Sequence, residues 1–116
     1  MALQIRDAKE LTAKAREAAR LLSALANQHR LAMLCELVEG ERPVGALVQA
    51  VGLSQSALSQ HLAKLRAAGV VATRRDAQTI YYRLASDAAG NIMSTLAEIY
   101  CRHGSRKSLT LNLERN

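Results

Sequence analysis

A mainly α-helical domain with one β-hairpin is the fold this sequence predicts, and three observations predict it. Apolar residues recur at helical spacing before Gly69 and again after Ser86. A short helical stretch, a tight turn Val51-Gly52-Leu53-Ser54 and a longer helical stretch follow one another directly. After Gly69 the period changes: Val70-Val71-Ala72-Thr73-Arg74-Arg75 and Thr79-Ile80-Tyr81-Tyr82-Arg83-Leu84 are β-rich runs on either side of Asp76-Ala77-Gln78. Helix, glycine-containing turn, helix and hairpin in that order make a winged helix-turn-helix, with about five helices and a two-stranded hairpin.

At 116 residues the chain has room for one core, so residues 1–116 are expected to form a single domain. Trp and Phe are absent while 49% of residues are hydrophobic, so Leu, Ala, Val and Ile must fill that core. The formal net charge of +6 favours an anionic partner. With no cationic amphipathic run, that partner is expected to be nucleic acid and not a membrane surface. No apolar run approaches the roughly 20 residues needed to span a bilayer. Residues 1–11 mix Arg6, Asp7, Lys9 and Glu10 into their first turns, unlike a signal peptide, so a cytoplasmic location is expected.

Residues 7–26 read as one long helix whose stripe is Leu11, Ala15, Ala18, Leu22 and Leu25, with Arg6, Lys9, Lys14, Arg16 and Arg20 on other faces. Asn27 can cap a second helix to about residue 39, with Leu31, Leu34, Leu37 and Val38 inward and Gly40 as its stop. Glu41-Arg42-Pro43 reads as a turn, and Pro43 is suited to begin a third, short helix through Ala50 that buries Val44, Leu47 and Val48. Ser86 and Asp87 can start a last helix to residue 101 or 102, with Ile92, Met93, Leu96, Ile99 and Tyr100 apolar. Residues 103–116 read as a polar, basic tail.

The helix after the tight turn carries the chemistry. Ser54 is placed to cap it, Leu58, Leu62 and Leu65 form one apolar stripe, and Gly69 stops it. Ser56, Ser59, Gln60 and Ala63 fall on the opposite side, with Gln55 flanking. A merely solvated face would carry Lys and Glu. Short neutral donors and acceptors suit close approach to base edges in a DNA major groove. Gln55, Ser56, Ser59 and Gln60 are therefore the expected base-reading residues. Lys64, with Arg74, Arg75 and Gln78 of the hairpin, is expected to hold the phosphate backbone or the narrow minor groove. His61 and His29 read as packing or backbone-contacting residues, because a ligand role needs partners.

The two cysteines, Cys35 and Cys101, lie far apart, and no Cys-x-x-Cys is present, which argues against a zinc knuckle or a thioredoxin-type centre. Among leucines, Cys35 alone reads as a small buried hydrophobe. Cys101 stands beside Arg102 and His103, whose positive charge favours thiolate, at a helix end whose dipole opposes it. No nucleophile stands with a base or oxyanion donor, so an enzyme is not expected. No cofactor is called for.

Asn27-Gln28-His29-Arg30-Leu31-Ala32-Met33-Leu34, the 53–65 stretch, Arg66-Ala67-Ala68-Gly69-Val70-Val71 and Tyr81-Tyr82-Arg83-Leu84 resemble the ArsR/SmtB winged-helix repressors over roughly residues 18–101. The resemblance implies a homodimer built through the first and last helices, which binds an imperfect palindrome of double-stranded DNA and leaves it when an inducer binds. Metal-sensing branches carry Cys-x-Cys or Cys-x-x-Asp near the start of the third helix, where this chain has Arg42-Pro43-Val44-Gly45-Ala46. Another branch pairs Asp and His on the last helix, where this chain offers Asp87 and Glu98 without a His, so no metal site is expected. Leu34-Cys35-Glu36-Leu37 and Ile99-Tyr100-Cys101 resemble the dithiol branch, which includes sulfide- and persulfide-responsive repressors and a regulator of hemolysin genes. That likeness implies that reactive sulfur species or oxidants crosslink Cys35 to Cys101. A metal-responsive repressor and a constitutive DNA-binding regulator, possibly an anti-silencer, remain the alternatives.

Overall fold

The computed structural model describes residues 5–101. The chain divides after Ala85 into two compact units. The first holds α1 (Ile5–Ala13), α2 (Ala15–Leu25), α3 (Gln28–Leu37), β1 (Arg42–Pro43), α4 (Val44–Val51), α5 (Gln55–Ala67), β2 (Val71–Asp76) and β3 (Thr79–Leu84); the second holds α6 (Asp87–Tyr100). The polar tail expected at residues 103–116 lies outside the described residues.

The single long N-terminal helix expected over residues 7–26 is two helices. Lys14 leaves the α basin at φ −103°, ψ 11°, and its N–H is shared between the carbonyls of Glu10 at 3.1 Å and Leu11 at 3.0 Å. Just upstream the Thr12 hydroxyl donates back to the Ala8 carbonyl at 2.9 Å, a bond that bends helices by competing for the backbone acceptor.

The core of the first unit is aliphatic, with Met33, Leu34, Leu37, Leu47, Leu58, Leu62, Leu65 and Val70 its largest fully buried side chains. Asn27 caps α3 by accepting from the N–H groups of His29 and Arg30 at 2.9 and 3.1 Å. The inward stripe of α3 is Arg30, Met33, Leu34 and Leu37. Val38, expected inward, is 55% exposed: it stands beyond the last helical residue, and Leu37 already fills the inward position.

The hairpin is also more than two strands. The sheet runs β1-β3-β2, all antiparallel, with Arg42 opposite Tyr82 and Pro43 opposite Tyr81. The stretch expected as a turn is thus a short edge strand, where a proline without an N–H is tolerated. Arg42 further donates from Nε to the Glu36 carbonyl at 3.0 Å, satisfying an end carbonyl of α3. Pro43 does not begin α4 but precedes it in extended conformation, at φ −73° and ψ 153°.

In the second unit, the Ser86 hydroxyl accepts from the Ala89 N–H at 3.0 Å and caps α6. Ala89 and Met93 are buried, whereas Ile99 and Tyr100 are 63% and 77% exposed.

Candidate nucleic-acid interface

Local signals define the α5 helix at both ends. The Ser54 hydroxyl accepts from the Ala57 N–H at 3.2 Å. At the other end Gly69 adopts φ +75°, its N–H bonds the Arg66 carbonyl at 3.0 Å, and the Val70 N–H reaches the Leu65 carbonyl at 2.9 Å. That pair of bonds is the Schellman closure, which a left-handed glycine permits without steric cost. Between the caps, Leu58, Leu62 and Leu65 are buried to 1% or less. Gln55, Ser56, Ser59, Gln60, Ala63 and Lys64 are all exposed. The core thus claims one side of α5 and leaves bare the side rich in short polar groups.

Behind α5 sits a polar junction. Arg30 is 9% exposed; its Nε donates to the Ala24 carbonyl at 2.6 Å and its Nη2 to the Ser23 carbonyl at 3.2 Å, at the end of α2. Its Nη1 lies 3.3 Å from Nδ1 of His61 on α5. An arginine can only donate, so His61 Nδ1 accepts and the ring is neutral with its proton on Nε2. Burial, then the charge of Arg30, then His29 and Lys64, hold the His61 pKa below its ordinary value. The His29 ring stands 5.7 Å from that of His61. Each histidine ring thus has the other beside it, and His61 is joined to Arg30 as well. Arg30 carries no such signal, because the carbonyls it binds belong to a different helix.

The hairpin presents its cations unequally. Arg75 and Gln78 are exposed near the tip. Arg74 is exposed as well, but occupied. Its Nε lies 2.9 Å from both carboxylate oxygens of Glu41, and its Nη2 lies 2.9 Å from Oε1. On the other side Nη1 stands 4.0 Å from Asp76 Oδ2, and the guanidinium carbon sits 4.4 Å from the centre of the Tyr81 ring. The bond to Glu41 pushes the Arg74 pKa further above its usual value. Glu41 is distant in sequence, and the pairing of β1 with β3 brings it to the hairpin. Nothing in the sequence alone announces that pairing.

Cys35, on α3 of the first unit, is exposed and not buried among the leucines around it. Cys101 follows α6 in the second unit, exposed, with its N–H on the Ala97 carbonyl at 2.7 Å. Among the described residues no three or more His, Cys, Asp or Glu side chains are grouped to hold a metal ion. Among them, too, no helix is long and apolar enough to cross a membrane.

A helix-turn-helix with an exposed Ser/Gln face on its second helix, followed by a basic hairpin, defines a winged-helix DNA-binding protein. Residues 27–73 match the family described as bacterial regulatory protein, arsR family. The nodulation protein NolR of Rhizobium meliloti is 61% identical over 83 residues, covering 72% of this chain and 68% of NolR. HlyU of Vibrio cholerae, described as a transcriptional activator, is 45% identical over 94 residues, covering 81% of this chain and 87% of HlyU. The crystal structure of the transcriptional repressor BigR from Xylella fastidiosa superposes with a TM-score of 0.77 at 41% identity, covering 82% of this chain and 97% of that one. The chain belongs to the ArsR family of DNA-binding transcriptional regulators, and its relatives are of the HlyU, BigR and NolR type.

Proposed function

We propose that this chain is a homodimeric operator-binding repressor whose grip on DNA is released when reactive sulfur species or oxidants bridge Cys35 and Cys101. Gln55, Ser56, Ser59 and Gln60 read base edges in the major groove of an imperfect palindrome. Lys64, Arg74, Arg75 and Gln78 engage the phosphate backbone or minor groove. The observation that carries the sensing role is the exposure of both cysteines, one on α3 and one just after α6. An accessible thiol reacts where a core thiol is inert.

The chemistry balances in two ways. Peroxide converts one thiolate to a sulfenic acid, which the second thiolate attacks, so the protein loses two hydrogens and releases water. With an organic trisulfide, one thiolate displaces a thiolate from the reagent to give a mixed trisulfide. The second thiolate attacks the central sulfur and displaces the other thiolate, which leaves a three-sulfur bridge and two free thiols. A direct disulfide needs Cα atoms within about 7 Å, and the extra sulfur relaxes that limit. A bridge that disfavours the DNA-bound spacing of the two recognition helices by about 3 kcal/mol lowers operator affinity more than 100-fold.

Intact mass and operator binding, followed together for wild type, C35S and C101S, test this reading. Wild type should gain the bridge and release DNA, while each serine variant should bind DNA normally and ignore the reagent. Release of DNA from either serine variant would refute it. A second reading has one observation in its favour, the description of HlyU as an activator. A constitutive DNA-binding regulator that displaces a silencer would bind DNA identically before and after either reagent.

A further inference from the structure

We propose that Glu41 is a built-in competitor of DNA phosphate for Arg74, and so sets how much of the hairpin's charge reaches DNA. The inference rests on the reading above that the hairpin meets DNA. The geometry of Arg74 carries it. An arginine offers two edges of paired N–H donors to a carboxylate or phosphate. The Nε/Nη2 edge of Arg74 is filled by Glu41 at 2.9 Å, and Nη1 faces Asp76 at 4.0 Å. Tyr81 covers one face of the guanidinium at 4.4 Å.

Together Arg74, Glu41 and Asp76 carry one net negative charge, so an approaching phosphate meets no uncompensated cation there. Glu41 is also held where it acts. Its side chain is 27% exposed against 50% for Arg74, and the next residue, Arg42, is fixed by its pairing with Tyr82 and its bond to the Glu36 carbonyl. A surface carboxylate on a loose loop would be displaced with little loss. One seated beside a paired strand competes throughout the approach of DNA. To engage a phosphate, Arg74 must exchange Glu41 for it, and the counterion release that drives such contacts is cancelled in part by the carboxylate set free.

The test is the salt dependence of binding to a fluorescently labelled random-sequence duplex, which reads backbone contacts without a known operator. E41Q keeps the shape and an acceptor but removes the charge. It should tighten binding by about 2- to 5-fold at low salt. It should also steepen the slope of log affinity against log salt by about 0.9, the signature of one further phosphate contact. In an R74Q background E41Q should change nothing. Unchanged or weaker binding by E41Q overturns the proposal. So does a gain that persists in the R74Q background, because that gain would come from net charge alone. R75Q separates the layers: if it weakens binding while E41Q is silent, only the competition fails. If R75Q and E41Q are both silent, the hairpin does not meet DNA and the underlying reading falls as well.

Discussion

The neutral His61 ring on α5, accepting from Arg30 of α3, makes the stability of the fold depend on pH. Its folded-state pKa lies below the ordinary value near 6.5, with burial the largest cause. In the unfolded chain the ring takes up a proton as pH falls below about 6.5, whereas in the folded chain it resists until its lower pKa is reached. The unfolded state therefore binds more protons in that window, and stability falls as the medium is acidified through it. Above pH 6.5 both states are neutral and the residue contributes no slope. Asparagine at position 61 offers a permanent acceptor without a titrating proton. Melting temperature measured from pH 8 to 5 should fall less steeply for H61N than for wild type below pH 6.5. Parallel curves for the two proteins would show that the junction does not hold His61 neutral. Which residues face solvent on α5 could be read from the sequence, because side-chain period and caps are local. The Arg30–His61 bond could not, because it joins residues of α3 and α5 that meet only after both helices pack.

Elements show the same division between local and distant causes. The α5 helix was legible in full: Ser54, the Leu58/Leu62/Leu65 stripe and Gly69 each act within a few residues of the position they control. The β1 strand was not, since two residues have no periodicity and its proline looks like a helix start. The break at Lys14 was equally hidden, because the Ala- and Leu-rich stretch around it is uniformly helix-forming. The hairpin turn lies between these cases. Its presence at residues 76–78 was clear from the flanking β-rich runs, but not its conformation. Ala77 holds φ +58°, the only non-glycine residue among those described with a positive φ. A two-residue turn with positive φ at its first central position alone is the type II′ pattern, where glycine is favoured. Relief of the left-handed penalty, less the added freedom of glycine in the unfolded chain, should make A77G more stable by about 0.5–1 kcal/mol. Urea titration reads this directly as a rise in midpoint with unchanged slope. A lower midpoint would mean that Ala77 is not strained.

At the scale of the molecule, the two units share one property: each leaves large apolar side chains uncovered near a chain end. In the first unit Leu11 and Leu22 are 52% and 54% exposed, and in the second Ile99 and Tyr100 are 63% and 77% exposed. Single exposed leucines need no explanation, but large apolar side chains bared together on α1, α2 and α6 suit a partner surface. In the homodimer proposed above, pairing of such helices between protomers would cover them, and Cys101, one residue from Tyr100, would then lie where a sulfur bridge disturbs the pairing. Sedimentation equilibrium should accordingly give a dimer for wild type, and L22K and I99K, made separately, should each shift the population toward monomer. Because a palindrome rewards two linked recognition helices through effective concentration, the monomeric variants should lose about 100-fold or more in operator affinity. Melting temperature and far-UV circular dichroism close to wild type would separate loss of dimerisation from loss of fold, since an unfolded variant loses the cooperative transition as well. A wild-type chain that sediments as a monomer and fills each half-site independently would overturn the proposed dimer, and with it the proposed coupling of Cys101 to DNA binding.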